Sequence, residues 1–148
     1  MTRIELDRLS GRPVDAIRIL AEGELAAGGR NHRALLRLNG HAQGYHSFVT
    51  LEGASEDATP TEWADNALVA GRNRAGLDTH FRIDVSITSV LANGLRIALG
   101  NARYTDPGAQ SVEYLLHGYL TDPRPIERIE FGFEGGTVRG SLAFYTLL

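Results

Sequence analysis

The chain has 148 residues, a net charge of −3 and 43% apolar residues. That length suits one domain whose folding buries roughly 70% of the extended surface without staples, and the charge gives no overall drive toward nucleic acid or an anionic membrane. It has no cysteine and its fifteen basic residues are all arginine, which excludes disulfides, thiol catalysis, cysteine metal sites and lysine Schiff-base chemistry.

Met1 is followed by Thr2-Arg3-Ile4-Glu5 with no apolar leader, and no apolar run has the length of a membrane span. The sequence therefore reads as soluble and cytoplasmic. Arg3 to Leu9 alternates Ile4, Leu6 and Leu9 with charged residues, which predicts a short edge strand. Val14 to Leu25 carries two patterns: Val14, Ile17, Leu20 and Ala21 have helical spacing behind Pro13, while Ile17, Ile19 and Ala21 alternate. Gly23 weakens a helix by about 1 kcal/mol relative to alanine, and the segment feeds the Gly28-Gly29 turn, so strand is preferred. Asn31 to Asn39 and Tyr45 to Gly53 read as two further strands, joined as a hairpin across Gly40 to Gly44.

Thr59-Pro60-Thr61-Glu62 has the form of a capping box with proline in the first helical turn. With Trp63, Ala67 and Leu68 as an apolar stripe, it predicts one helix over about 60–70 anchored by Trp63. From Thr79 onward the pattern is all strand. Phe81, Ile83, Val85 and Ile87 alternate with Arg82, Asp84, Ser86 and Thr88. A three-residue loop, Ala92 to Gly94, then pairs Ile87 with Leu99 and places Leu95, Ile97 and Leu99 on the core face. In that register Tyr104 turns inward only through a bulge at Gly100.

Gln110 to Thr121 alternates Val112, Tyr114, Leu116 and Leu120 with Glu113, Leu115, His117 and Tyr119. Both faces are partly apolar, which predicts a core on one side and a partner, helix or ligand cavity on the other. Ile129, Phe131 and Phe133 and then Val138, Gly140, Leu142 and Phe144 read as a last hairpin turning at Gly135-Gly136, with Phe133 opposite Val138.

Candidates for chemistry are few. His41 and His46 flank Gly44, but no third ligand stands at a recognisable spacing, so no metal is expected. Gly-x-Ser-x-Gly, Gly-x-Gly-x-x-Gly and Walker motifs are missing, and no cofactor is expected. Arg30, Arg33 and Arg37 are read on one side of a strand or loop, where they offer an anionic ligand a landing place. Glu113, His117 and Tyr119 share one strand face; Glu113 and His117 stand roughly 13 Å apart, too far for a direct pair. His117 and Tyr119 are the acid–base candidates.

These readings predict a single β-rich domain over 1–148: an antiparallel β-barrel or two-layer sandwich of about eight strands with one helix. Three functions fit it. The first is binding of a small apolar or aromatic molecule by an interior lined with Tyr104, Tyr114, Phe131, Phe133 and Phe144. The second is a self-assembling ring- or tube-forming structural protein, with the two-sided strand Gln110 to Thr121 and the C-terminal edge Tyr145-Thr146-Leu147-Leu148 as subunit interface. The third is a cofactor-free isomerase or cyclase using His117 and Tyr119. A small apolar ligand and self-association are the expected partners, with neither nucleic acid nor membrane.

Overall fold

A period of two in the apolar residues dictates strands over nearly the whole chain, and the computed structural model is built from them. It describes residues 2–5, 16–52, 61–90, 94–124 and 126–147. The strands are β1 (Thr2–Glu5), β2 (Ala16–Ala26), β3 (Arg33–Leu38), β4 (His46–Glu52), β5 (Thr61–Ala64), β6 (Leu68–Arg72), β7 (Thr79–Val90), β8 (Leu95–Thr105), β9 (Ser111–Thr121), β10 (Arg128–Phe133) and β11 (Thr137–Leu147). Of the two architectures expected, the two-layer sandwich is the one formed. A four-stranded sheet, β1-β10-β3-β6, faces a seven-stranded sheet, β11-β2-β7-β8-β9-β4-β5, and every pairing is antiparallel. Among the described residues no helix is long and apolar enough to cross a membrane.

The core lies between the sheets. Ile17, Ile19 and Leu25 of β2, Phe81, Ile83, Val85 and Ile87 of β7, and Val112, Tyr114 and Leu116 of β9 meet Leu36 and Leu38 of β3, Leu68 of β6 and Ile129 and Phe131 of β10. The layers are also pinned by a buried polar contact, the Val69 N–H donating to Ser47 Oγ at 3.0 Å. The two Gly-Arg-Asn tripeptides, at Gly29 and Gly71, interlock: fully buried Asn73 donates to Arg30 O and accepts from the His32 N–H.

Four expectations are corrected. No helix occupies the described part of 60–70; Thr61–Ala64 and Leu68–Arg72 are strands in opposite sheets. The proline and cap residues of the expected box, Thr59 and Pro60, lie outside the described residues. Pairing decided the rest: β5 is hydrogen-bonded to β4, and Leu68, Val69, Ala70 and Gly71 are all buried, a continuous burial that suits a covered strand and not an amphipathic helix.

Second, β3 and β4 do not form a hairpin, because β3 pairs with β10 and β6 while β4 pairs with β5 and β9. Third, β10 and β11 do not pair either. At Gly135-Gly136 the chain crosses from the small sheet to the large one, and β11 pairs with β2. Both strands still aim their apolar faces at the same core, but from opposite sides. The alternation is identical in the two cases, and only long-range pairing tells them apart.

The fourth correction is one of register. Val90 pairs with Leu95 and Ile87 with Ala98, a four-residue connection where three were expected. A slip of one residue exchanges the faces of a strand. Ala98, Ala102 and Tyr104 therefore point inward with no bulge, and Leu95, Ile97 and Leu99 point outward. For β9 the expected alternation holds, with Val112, Tyr114, Leu116 and Leu120 buried on the core face; Leu115, His117 and Tyr119, on the face expected to be covered, are exposed.

Candidate functional site

The register of β8, which turns Ile97 and Leu99 outward, creates an exposed apolar surface feature. On the solvent side of the large sheet, one row across the strands holds Trp63, Phe48, His117 and Leu99, and the next holds His46, Tyr119 and Ile97. Leu115 flanks the first row on its other side, two residues before His117 on β9. Trp63 is 56% exposed and Leu99 60%, far from the burial their chemistry favours. With Ile97, Leu115 and Tyr119 they present roughly 500 Å² of mainly apolar surface, within the range of a monomer's largest patch, which is often functional.

The rings on this face are ordered by one another. His46 stacks on Tyr119 with centroids 4.4 Å apart and planes at 8°, and Phe48 lies over His117 at 5.9 Å and 20°. They wall an open groove of about 320 Å³ lined by Phe48, Leu95, Ile97, Ala98, His117, Gly118 and Tyr119. Its floor is the paired backbone of Ala98 and Gly118, the inward-pointing positions between the two outward rows. The apolar area is bounded. Glu113 and Arg103 close one end as an ion pair, and toward β7 and β2 the same face turns polar, with Arg18 holding Asp84 through two hydrogen bonds of 3.0 and 2.7 Å.

The acid–base candidates thus sit together on this outer groove, His117 and Tyr119 being two residues apart on β9. Four of the five residues expected to line an interior ligand site lie inside the sandwich or against its core. Tyr104 packs edge-on to Tyr114 at 5.7 Å and to Phe133 at 6.4 Å, and Phe131 and Phe133 meet at 6.0 Å. Tyr104 also donates its hydroxyl to Ala70 O, and burial raises its pKa well above that of a free phenol. Gly71, at φ +77°, makes room for Tyr114: a Cβ there would come within 2.4 Å of the ring. Phe144 faces the core side from the edge strand β11, opposite Ile19, but is 36% exposed and does not join that cluster of rings.

The remaining candidates disperse. His41 and His46 do not converge: His46 is in the aromatic face, while His41 Nε2 lies 2.8 Å from Asp122 Oδ2. Arg33 grips Glu134 in a two-pronged pair, Arg37 donates to Asn66 O, and Arg30 is exposed in a turn, so the arginine row does not form one anion site. Among the described residues no group of three or more histidine and carboxylate side chains is placed to hold a metal ion.

A second cluster, which sequence spacing did not reveal, closes one end of the sandwich. Buried Asp122 accepts from Asn39 Nδ2, His41 Nε2 and the Arg124 backbone N–H and Nε. Burial opposes ionisation of this carboxyl, yet the donors from Arg124, Asn39 and His41 outweigh it and hold the carboxyl well below its usual range. Asn39 Oδ1 meanwhile accepts from the Glu127 and Arg128 N–H groups. The residues come from loops more than eighty positions apart, so no local pattern announces them. The network satisfies a buried charge and ties the β3–β4 and β9–β10 connections together. No family model, curated protein or solved structure matches the chain.

Proposed function

We propose that the chain is a self-assembling structural subunit that stacks on a second copy through the outer face of β5, β4, β9 and β8. The observation that carries this reading is the contiguous exposed block of Trp63, Leu99, Ile97, Leu115 and Tyr119. A two-fold contact needs only one such patch, because each copy presents the same surface to the other. Two sheets packed face to face bury just such apolar rows. The apolar block supplies well over half of the roughly 800 Å² per partner of a standard interface, leaving the Arg103–Glu113 margin as polar rim.

The test is sedimentation of the purified chain and of a Leu99→Asp/Tyr119→Asp variant. Both positions are exposed, so the variant keeps its fold. The wild type is expected as a dimer or larger and the variant as one step smaller. A wild type that stays monomeric at about 100 µM, where even micromolar complexes form, refutes self-assembly.

A second reading rests on the groove alone. Its apolar walls fit one ring of a small aromatic molecule, and His117 and Tyr119 on its wall are the groups that isomerase or cyclase chemistry would use. Titration with indole, followed by the NMR signals of His117 and Tyr119, tests it; unmoved signals at millimolar indole remove both the ligand and the enzyme forms.

A further inference from the structure

The two edges of the large sheet are built differently. At one end β5 has only four residues; at the other β11 has eleven, Thr137–Leu147, in unbroken register with β2 from Thr137↔Ala26 to Leu147↔Ala16. Sheet proteins blunt a free edge with proline, a bulge, inward charges or a short strand. β11 has none of these. It holds no proline, its register has no shift, and its one charged residue is Arg139. Among the described residues no strand pairs with its outer side, so a row of backbone N–H and C=O groups faces outward. Val138 is 42% exposed, Phe144 36% and Tyr145 58%, so side chains on both faces of this strand are uncovered as well.

We infer that β11 pairs with β11 of a second copy, antiparallel about a two-fold axis at Leu142, joining two large sheets into one. This inference goes beyond the face-to-face contact and rests on a different surface. The strand is matched to itself in that register. All eleven residues find partners, forming about ten backbone hydrogen bonds. On the core side Phe144 lies opposite Gly140 of the second copy, where the missing Cβ leaves room for the ring, and Leu142 meets Leu142. On the solvent side Arg139 lies opposite Tyr145, and the two Arg139 charges stay roughly 20 Å apart along the strand. Gly140 itself is fixed by β2, since a Cβ there would stand 2.2 Å from Glu22 O. The alternative occupant, an extended segment of another protein, would leave the pure chain unpaired along this edge.

The absence of cysteine makes the register directly measurable. Leu142→Cys is expected to give a disulfide-linked dimer under mild oxidation, because symmetric pairing brings the two Cα atoms to about 4.5–5.5 Å. Cysteine at Arg139 or Tyr145, taken singly, should not link. Tyr145→Arg, which sets like charges opposite each other twice, should weaken the dimer about tenfold, and Tyr145→Glu should not. Efficient crosslinking by Leu142→Cys alone supports the pairing, whatever the outer-face variant does. Equal crosslinking at all three positions, or none at Leu142→Cys, overturns it, even if Leu99→Asp/Tyr119→Asp dissolves an assembly. In that case the face contact stands and the edge contact falls.

Discussion

Replacing Asp122 with alanine should destabilise the fold by about 3 kcal/mol, because a buried carboxylate satisfied from the β3–β4 loop and from its own leaves its donors stranded when removed. Asp122 is 4% exposed and accepts from Asn39 Nδ2 at 3.0 Å, His41 Nε2 at 2.8 Å and the Arg124 N–H at 3.0 Å. A net hydrogen bond to a charged group contributes about 1.5–3 kcal/mol. The Arg124 side chain, 61% exposed, adds little after solvent screening. For a domain of this size the loss lowers Tm by about 6–12 °C. The pH dependence carries the sign of a depressed carboxyl. Its stabilisation is present above the unfolded value of 3.8 and is lost as pH falls through the lower folded value. Thermal melts of wild type and Asp122→Ala should therefore differ by a constant amount near neutrality and converge below about pH 4. A Tm change under about 2 °C at pH 7, or a difference unaltered at pH 3, refutes the account.

His80 is clamped with Nδ1 2.8 Å from Glu24 and Nε2 3.2 Å from Glu22, and the hydrogen bond to Glu24, aided by the one to Glu22, raises its pKa above 6.5. Its contribution is present below the unfolded value and lost as pH rises through the folded one; at this exposed site it is at most about 0.5 kcal/mol, and an NMR titration should show the His80 pKa fall in Glu22→Gln/Glu24→Gln. Gly71→Ala should cost more than about 2 kcal/mol in urea unfolding, since it meets both φ +77° and the Tyr114 ring, whereas Gly28→Ala, at φ +66° with open space around it, should cost about 1 kcal/mol. Tyr104→Phe leaves the Ala70 carbonyl without its donor and should lose about 1–2 kcal/mol with an unchanged m-value.

The strands of the second half were legible because burial of one face imposes a period of two, and the alternation from Phe81 to Ile87 and from Val112 to Leu120 meets that demand without ambiguity. The same rule exposed the two-faced character of Leu115, His117 and Tyr119, and so half of the candidate face. What alternation does not carry is the identity of the partner strand. Ile129 to Phe133 reads equally well against Val138 to Phe144 or against Leu36 and Leu38, and the core chose the second by filling from both sheets. Nor does it carry the length of a turn: one extra residue between Val90 and Leu95 sent Ile97 and Leu99 to the solvent, completing the apolar face. The capping signals near Thr61 were local and weak, about a kcal/mol each, and lost to the ladder that β4 offered Thr61–Ala64. The Asp122 network lay wholly beyond sequence reading, since hydrogen bonds between Asn39, His41 and Asp122 exist only once the sheets have stacked and brought distant loops to one end.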